Sequence, residues 1–149
     1  MAATLIGVFF VSIFELNAVC LRYIESSKEA VAAIAAVQDR SEVLRNSAFS
    51  DLTTSSYVQG LLANPANASD YTQRMTEIVQ LSAYPTPSTP NGVTQFTRHT
   101  DGTVSQDSTA TDLGTTLVKV SISQSWTAVL GARSRSESTT LIIANGTKK

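Results

Sequence analysis

Few side chains in this sequence are of the types that do chemistry, and their spacing argues against most reactions. There is one histidine, His99, and one cysteine, Cys20. His99 lies in a polar stretch beside the turn signal Asp101-Gly102, so it reads as a solvated turn residue rather than a general base or a ligand. Cys20 has no second thiol to pair with and sits in an apolar helical run, where it reads as a small core-facing hydrophobe. Leu16-Asn17-Ala18-Val19-Cys20 hints at a lipoprotein cleavage site, but Asn17 and Val19 fit that pattern poorly. Paired cysteines, a phosphate-cradling glycine loop and metal-ligand spacing do not occur. The expectation is a protein without a cofactor that is not an enzyme. Modification is the chemistry that remains. Asn67-Ala68-Ser69 and Asn145-Gly146-Thr147 match the acceptor pattern for N-glycosylation at Asn67 and Asn145, and Thr86 to Thr89 offer hydroxyls for O-linked sugars.

Composition narrows the partners. A net charge of −1 and a pI near 5.7 give nucleic acid no electrostatic footprint, so nucleic-acid binding is set aside. The 149 residues amount to about one domain, and 42% apolar residues suffice for one modest core. The 19 Ser and 19 Thr, 38 together, crowd into the second half, where Lys and Glu become scarce. Surfaces of hydroxyls rather than charges are common outside the cytoplasm, and also in ordinary β proteins.

The element that dominates the chain is its first 48 residues. They are uncharged from Met1 to Phe14 and run on to about Ala48 without a proline, which reads as one long helix with an apolar front and a charged back. A secretory signal would open with positive charge, and here the first basic residue is Arg22. A membrane span needs about 20 apolar residues. Met1 to Phe14 is too short, and continuing to Leu21 puts Glu15 and Asn17 into hydrocarbon. Either Glu15 meets a partner in an assembly, or further apolar residues precede Met1. The division expected is 1–21 as an apolar filament-core or membrane helix and 22–149 as the globular domain.

Behind the front, Leu16, Val19, Cys20, Tyr23, Ile24, Ser27, Ala30, Val31, Ile34, Val37, Leu44 and Ala48 recur at helical spacing, which predicts the stripe that packs on the rest of the domain. Arg22, Glu25, Lys28, Glu29, Asp39, Arg40, Glu42 and Arg45 read as a solvated face, with weak pairs three residues apart. After Asn46 a loop is expected. Ser56 and Gln59 form a capping-box pattern before a short helix that Asn64-Pro65 ends. Thr72 to Ala83 and Val93 to Arg98 read as strands, separated by a Pro-rich surface loop from Tyr84 to Gly92. Asp101-Gly102 marks a turn, and a polar tract runs from it to Gly114. Val118, Val120, Ile122 and Trp126 share one face of a strand that turns at Leu130-Gly131 and returns over Ala132 to Ala144. The expected fold is α+β: a long helix with a protruding apolar front, packed on an antiparallel sheet of about four strands.

This layout resembles the type IV pilin and type II secretion pseudopilin superfamily. Leu5-Ile6-Gly7-Val8 is similar to the middle of the pilin apolar helix, and Gln38-Asp39-Arg40-Ser41-Glu42-Val43-Leu44-Arg45-Asn46 resembles the helix end of pseudopilin-like proteins. Leu117-Val118-Lys119-Val120 and Gly131-Ala132-Arg133-Ser134-Arg135 resemble the closing hairpin. The family's glycine cleavage site and near-terminal glutamate are not in this sequence. Setting Gly7-Val8 on a glycine deeper in the pilin helix puts both upstream of Met1. The resemblance implies a structural subunit of a helical filament, a homopolymer held in the inner membrane before assembly and extracellular after it. It implies assembly machinery and a prepilin peptidase as further partners. The alternative it implies is a minor pseudopilin of a type II secretion or DNA-uptake machine. Filament-core contacts would come from Leu5, Ile6, Val8, Phe9, Phe10, Ile13, Phe14 and Glu15. For Glu15 two readings stand open: pairing with a neighbour's Arg22 or backbone amides, or a place at the water boundary.

Overall fold

The computed structural model describes residues 2–67, 69–85 and 92–146, with side chains described from Ile6 onward. Helix α1, Ala2–Asn46, is 45 residues long, about 68 Å at 1.5 Å per residue. Ala, Leu, Glu and Arg fill it, and no proline interrupts its hydrogen bonds. Arg45 stands in its last turn, where a cation complements the helix dipole. Three short helices follow: α2 (Phe49–Leu52), α3 (Ser55–Leu62) and α4 (Asp70–Gln73). The strands are β1 (Thr76–Ala83), β2 (Thr94–Arg98), β3 (Val104–Ser108), β4 (Leu117–Thr127) and β5 (Ser134–Ala144). They form one antiparallel sheet in the order β3-β2-β1-β4-β5. The fold is α+β, with five strands where the sequence predicts about four.

The additional strand, β3, lies in the tract read as polar loop. Val104 is its one apolar residue, and as an edge strand it is held by its ladder to β2 and by side-chain bonds rather than by burial. The turn that brings it back was legible: Gly102 adopts φ +85°, which a glycine supplies without strain. Two further departures are short helical turns. α2 occupies the expected loop, and α4 takes the first residues assigned to the strand at Thr72. Ser69 Oγ accepts from Tyr71 N at the start of α4. The short helix read from Ser56 is present as α3, but it starts at Ser55 with Thr54 as its N-cap, and no side chain caps it.

The larger correction concerns the face of α1 that packs. Ser26, Glu29, Ala32, Ala33, Ala36, Val37, Arg40 and Leu44 are buried, as is Ser47 just past the helix end, and α1 meets β4, β5 and α4. At 100° per residue this face lies roughly 140° around the helix from the centre of the predicted stripe at Tyr23 to Ile34. Of that stripe only Val37 and Leu44 are buried, while Tyr23, Ile24, Val31 and Ile34 are exposed. The reason is size. Alanine and serine let the helix axis approach the pleated sheet, and bulkier side chains would hold it off. Arg40 and Glu29, read as solvated, lie on this face and are inside, Arg40 because Glu77 and the carbonyls of Leu61 and Asn64 meet its guanidinium.

Under α1 and α3 the core gathers Leu44, Leu52, Val58, Leu62, Val79, Leu81, Phe96, Val118, Val120, Ile122 and Ile143. Val118, Val120, Ile122 and Trp126 share the inner face of β4 as predicted, with Gln124 buried among them. Arg40 locks helix to sheet. Its Nε donates to Glu77 Oε1 at 2.6 Å and one terminal nitrogen donates to Glu77 Oε2 at 3.0 Å. The same guanidinium donates to the carbonyls of Leu61 and Asn64 at 3.0 and 2.7 Å, tying down the end of α3.

Candidate functional site: the uncovered face of the long helix

Every residue from 6 to 24 is exposed, and burial along α1 begins only at Glu25 and Ser26. Of the expected contact residues, Ile6, Val8, Phe9, Phe10, Ile13 and Phe14 all project from the helix uncovered, Phe14 at 69% exposure. Leu5 lies in the helix, and its side chain is outside the described residues. The Phe9 and Phe10 rings meet edge to face at 6.3 Å, forming an aromatic knob on the helix surface. Ser12 donates its hydroxyl to the Val8 carbonyl at 3.0 Å, so its one donor is satisfied within the helix. That matters in a medium without water, where an unmet hydroxyl is costly. Glu15 is exposed on this segment, and Cys20, read from sequence as core-facing, is exposed as well.

The uncovered apolar face does not stop at the front. Tyr23, Ile24, Val31 and Ile34 continue it along the half of α1 that lies on the sheet, with Val31 at 66% exposure. Beside it, Asn67, Ser69 and Tyr71 wall an open, largely apolar groove of about 750 Å³. Two sides of α1 thus have different tasks. The side with Ala33 and Ala36 packs on the chain's own sheet, and the bulky side stays exposed, flanked at Tyr23, Ile24 and Val31 by the groove wall of Asn67, Ser69 and Tyr71. By length and composition α1 is able to span a membrane, with a mean hydropathy of 1.5 over an 18-residue window, none of it buried. The signal for the outer face was present in the sequence as a difference in side-chain size, which a search for apolar periodicity alone passes over.

The polar clusters give no comparable site. His99 flanks the β2–β3 turn, its N–H donating to Thr103 O at 2.8 Å and its carbonyl accepting from Gly102 N at 2.9 Å. It is exposed, as a solvated turn residue should be. Its Nε2 lies 3.0 Å from Ser105 Oγ, and Ser105 Oγ donates to Asp107 Oδ1 at 2.7 Å. This is the wrong order for nucleophilic catalysis, where the imidazole must stand between hydroxyl and carboxylate. Asp107 also accepts from Thr97 Oγ1 and from Gln95 Nε2, and these bonds, Thr97's first, hold its carboxyl down to about 2. The group pins β3 to β2. Among the described residues no set of three His, Cys, Asp or Glu side chains is placed to hold a metal.

The two sequon asparagines differ in setting. Asn67 is half-buried, its Oδ1 accepting from Ser69 N at 3.0 Å and from Thr72 Oγ1 at 2.9 Å. Asn145 is exposed and donates Nδ2 to Thr115 O at 2.8 Å. Ala68, Thr147 and the hydroxyls of Thr86 to Thr89 lie outside the described residues. Comparisons with protein-family profiles, with characterised proteins and with solved structures found no match.

Proposed function

We propose that this chain is a structural subunit of a helical, type IV pilus-like extracellular filament, assembled by the bundling of its α1 helices. The observation that carries the reading is the continuous bulky apolar face of α1 from Ile6 to Ile34, left uncovered while the opposite face packs on the sheet. Such a face has two low-energy environments, lipid and a protein-made apolar core. Before assembly the front rests in the inner membrane; afterwards neighbouring helices take the place of lipid. Each fully covered Phe or Ile side chain contributes about 1.5–3 kcal/mol relative to exposure in water. A head-to-tail contact between such helices does not close on itself, so it extends into a fibre. Copies of this chain, a membrane assembly machine and a prepilin peptidase are the partners this reading requires. The uncharged polar outer face of the sheet, with an amide pair at Gln80–Gln95 and a hydroxyl pair at Ser121–Thr140, is the surface a fibre would show to water.

Electron microscopy of the cell-surface fraction tests this directly. Fibres built almost wholly of this chain are the expected result; a chain present in few copies per assembly would favour a minor pseudopilin instead. Phe9→Asp is expected to abolish fibres while the chain still enters the membrane and the sheet retains its circular dichroism. Intact fibres from that variant would sink the proposal.

A further inference from the structure

We propose that the open groove along α1 receives the apolar front of α1 from a second copy of this chain, laid parallel and displaced along the axis by about 13–15 residues, roughly 20–22 Å. This rests on the filament reading and deepens it by naming the contact that sets neighbours in register. The groove holds about 750 Å³ and extends along the helix from Tyr23 to Ala35.

Continuity and shape favour a second α1 as the occupant. Groove and front belong to one unbroken helix, and residues 6 to 24 are exposed on every side, so a neighbour can reach them. Tyr23, Ser27, Val31 and Ala35 form one row at spacing four, and Ile24, Lys28 and Ala32 form the next. Such rows enclose a furrow into which the ridge of another helix packs. Here the furrow closes in alanines, which leave room for bulkier side chains of the front. At 1.5 Å per residue it is about 18 Å long and accepts roughly 13 residues of a second helix.

Charge fixes direction and register. Glu15 and Arg22 are seven residues apart and Lys28 and Asp39 eleven, so each pair shares one side of the helix to within about 20°. All four are exposed. Among the described residues Glu15, Arg22 and Asp39 enter no ion pair, and Lys28 has only a 4.0 Å approach to Glu25. A shift of about 13 residues sets Glu15 level with the neighbour's Lys28; at about 15 residues Glu15 lies within two residues of Lys28 and Arg22 within two of Asp39. Opposite charges therefore meet along the groove, which selects this register over others. An antiparallel copy that brings Glu15 to Lys28 leaves Arg22 level with Leu21, with no carboxylate within three residues. A glutamate on an apolar front is costly alone, and the neighbour's lysine offsets that cost. Each copy offers one front and one groove, so the contact propagates without closing.

Thiol pairing reads the register. In a Cys20→Ser background, Ser12→Cys and Ser27→Cys are introduced together into the full chain, which is reconstituted in phospholipid vesicles and treated with a short bismaleimide. Within one straight helix these positions are about 22 Å apart, too far for the reagent, whereas in the proposed contact they stand level. The expected result is a ladder of dimers, trimers and higher species from the double-thiol chain, and monomer from either single-thiol chain. Adding Glu15→Lys or Lys28→Glu should each lower ladder yield at least about tenfold, and both changes together should restore it. Restoration excludes misfolding as the cause of the loss. No ladder, as from a groove filled by lipid, dimers from a single-thiol chain, or a double reversal no better than the single ones would overturn the proposal. Surface fibres without the ladder leave the filament reading standing and remove this register; a ladder from a chain that makes no fibres keeps the contact and removes the filament.

Discussion

Replacing Arg40 with alanine is expected to cost the folded domain about 3–5 kcal/mol, the penalty of stranding a buried carboxylate after its cation is removed. Arg40 and Glu77 are 3% and 1% exposed, so water cannot take over the bonds that are lost. Those bonds are four: two to Glu77 and one each to the carbonyls of Leu61 and Asn64. Against a typical domain stability of about 5–15 kcal/mol, the variant would approach the unfolding threshold. Glu77→Ala is expected to be at least as damaging. It leaves the Arg40 guanidinium buried without its carboxylate, on a sheet face where Arg98, the cross-strand neighbour of Glu77, is itself buried with Nε unpartnered. The double change Arg40→Met with Glu77→Leu should recover to within about 2 kcal/mol of the wild type, because apolar replacement of both partners removes the stranded charge. Urea unfolding of the full chain in micelles, followed by circular dichroism and by Trp126 fluorescence, measures all three. A loss under about 1 kcal/mol for Arg40→Ala, or a double variant as unstable as the sum of the single ones, would refute the argument that this pair is an internal clamp.

Two other outcomes follow from the geometry. Ala36→Leu, on the buried small-residue face, should destabilise by about 1–3 kcal/mol through overpacking, whereas Ile34→Ser, on the uncovered face, should leave unfolding almost unchanged and weaken assembly; sedimentation and chemical denaturation of both variants check the pair. Asp107 has a folded-state pKa of about 2, below the ordinary 3.8, so its stabilising contribution is complete above that ordinary value and is lost as pH falls through about 2. An acid titration of unfolding should therefore show a shallower fall in Asp107→Asn than in the wild type, and identical curves would contradict the role given to Asp107 in pinning β3.

Much of this molecule was legible in residue order. The proline-free run from Ala2 to Asn46, the alternation of Val118, Val120 and Ile122 with Lys119, Ser121 and Ser123, and the Asp101-Gly102 turn each express local physics: hydrogen bonds within a helix, the two-residue period of a strand, the positive φ of glycine. These place a long helix, a closing hairpin and an apolar front without reference to anything distant. The strand β3 escaped because an edge strand with one apolar residue has no period to read. Its stability resides in Thr97, Gln95 and Asp107, which meet only after folding.

The face that α1 turns to the sheet is likewise a matter of assembly in three dimensions. Apolar periodicity marks both sides of this helix, one with alanines and the other with Tyr23, Ile24, Val31 and Ile34. Which side goes inward depends on how closely the helix axis approaches the strands, a distance no local window contains. The same holds for charge. Glu25, Glu29 and Arg40 look alike along the helix, yet one is half-buried with a tyrosine partner, one is enclosed beside Trp126, and one is clamped to Glu77, 37 residues away. Burial converts an ordinary surface residue into a lock because the cost of a charge is set by its surroundings, and those surroundings come from residues far apart in the chain.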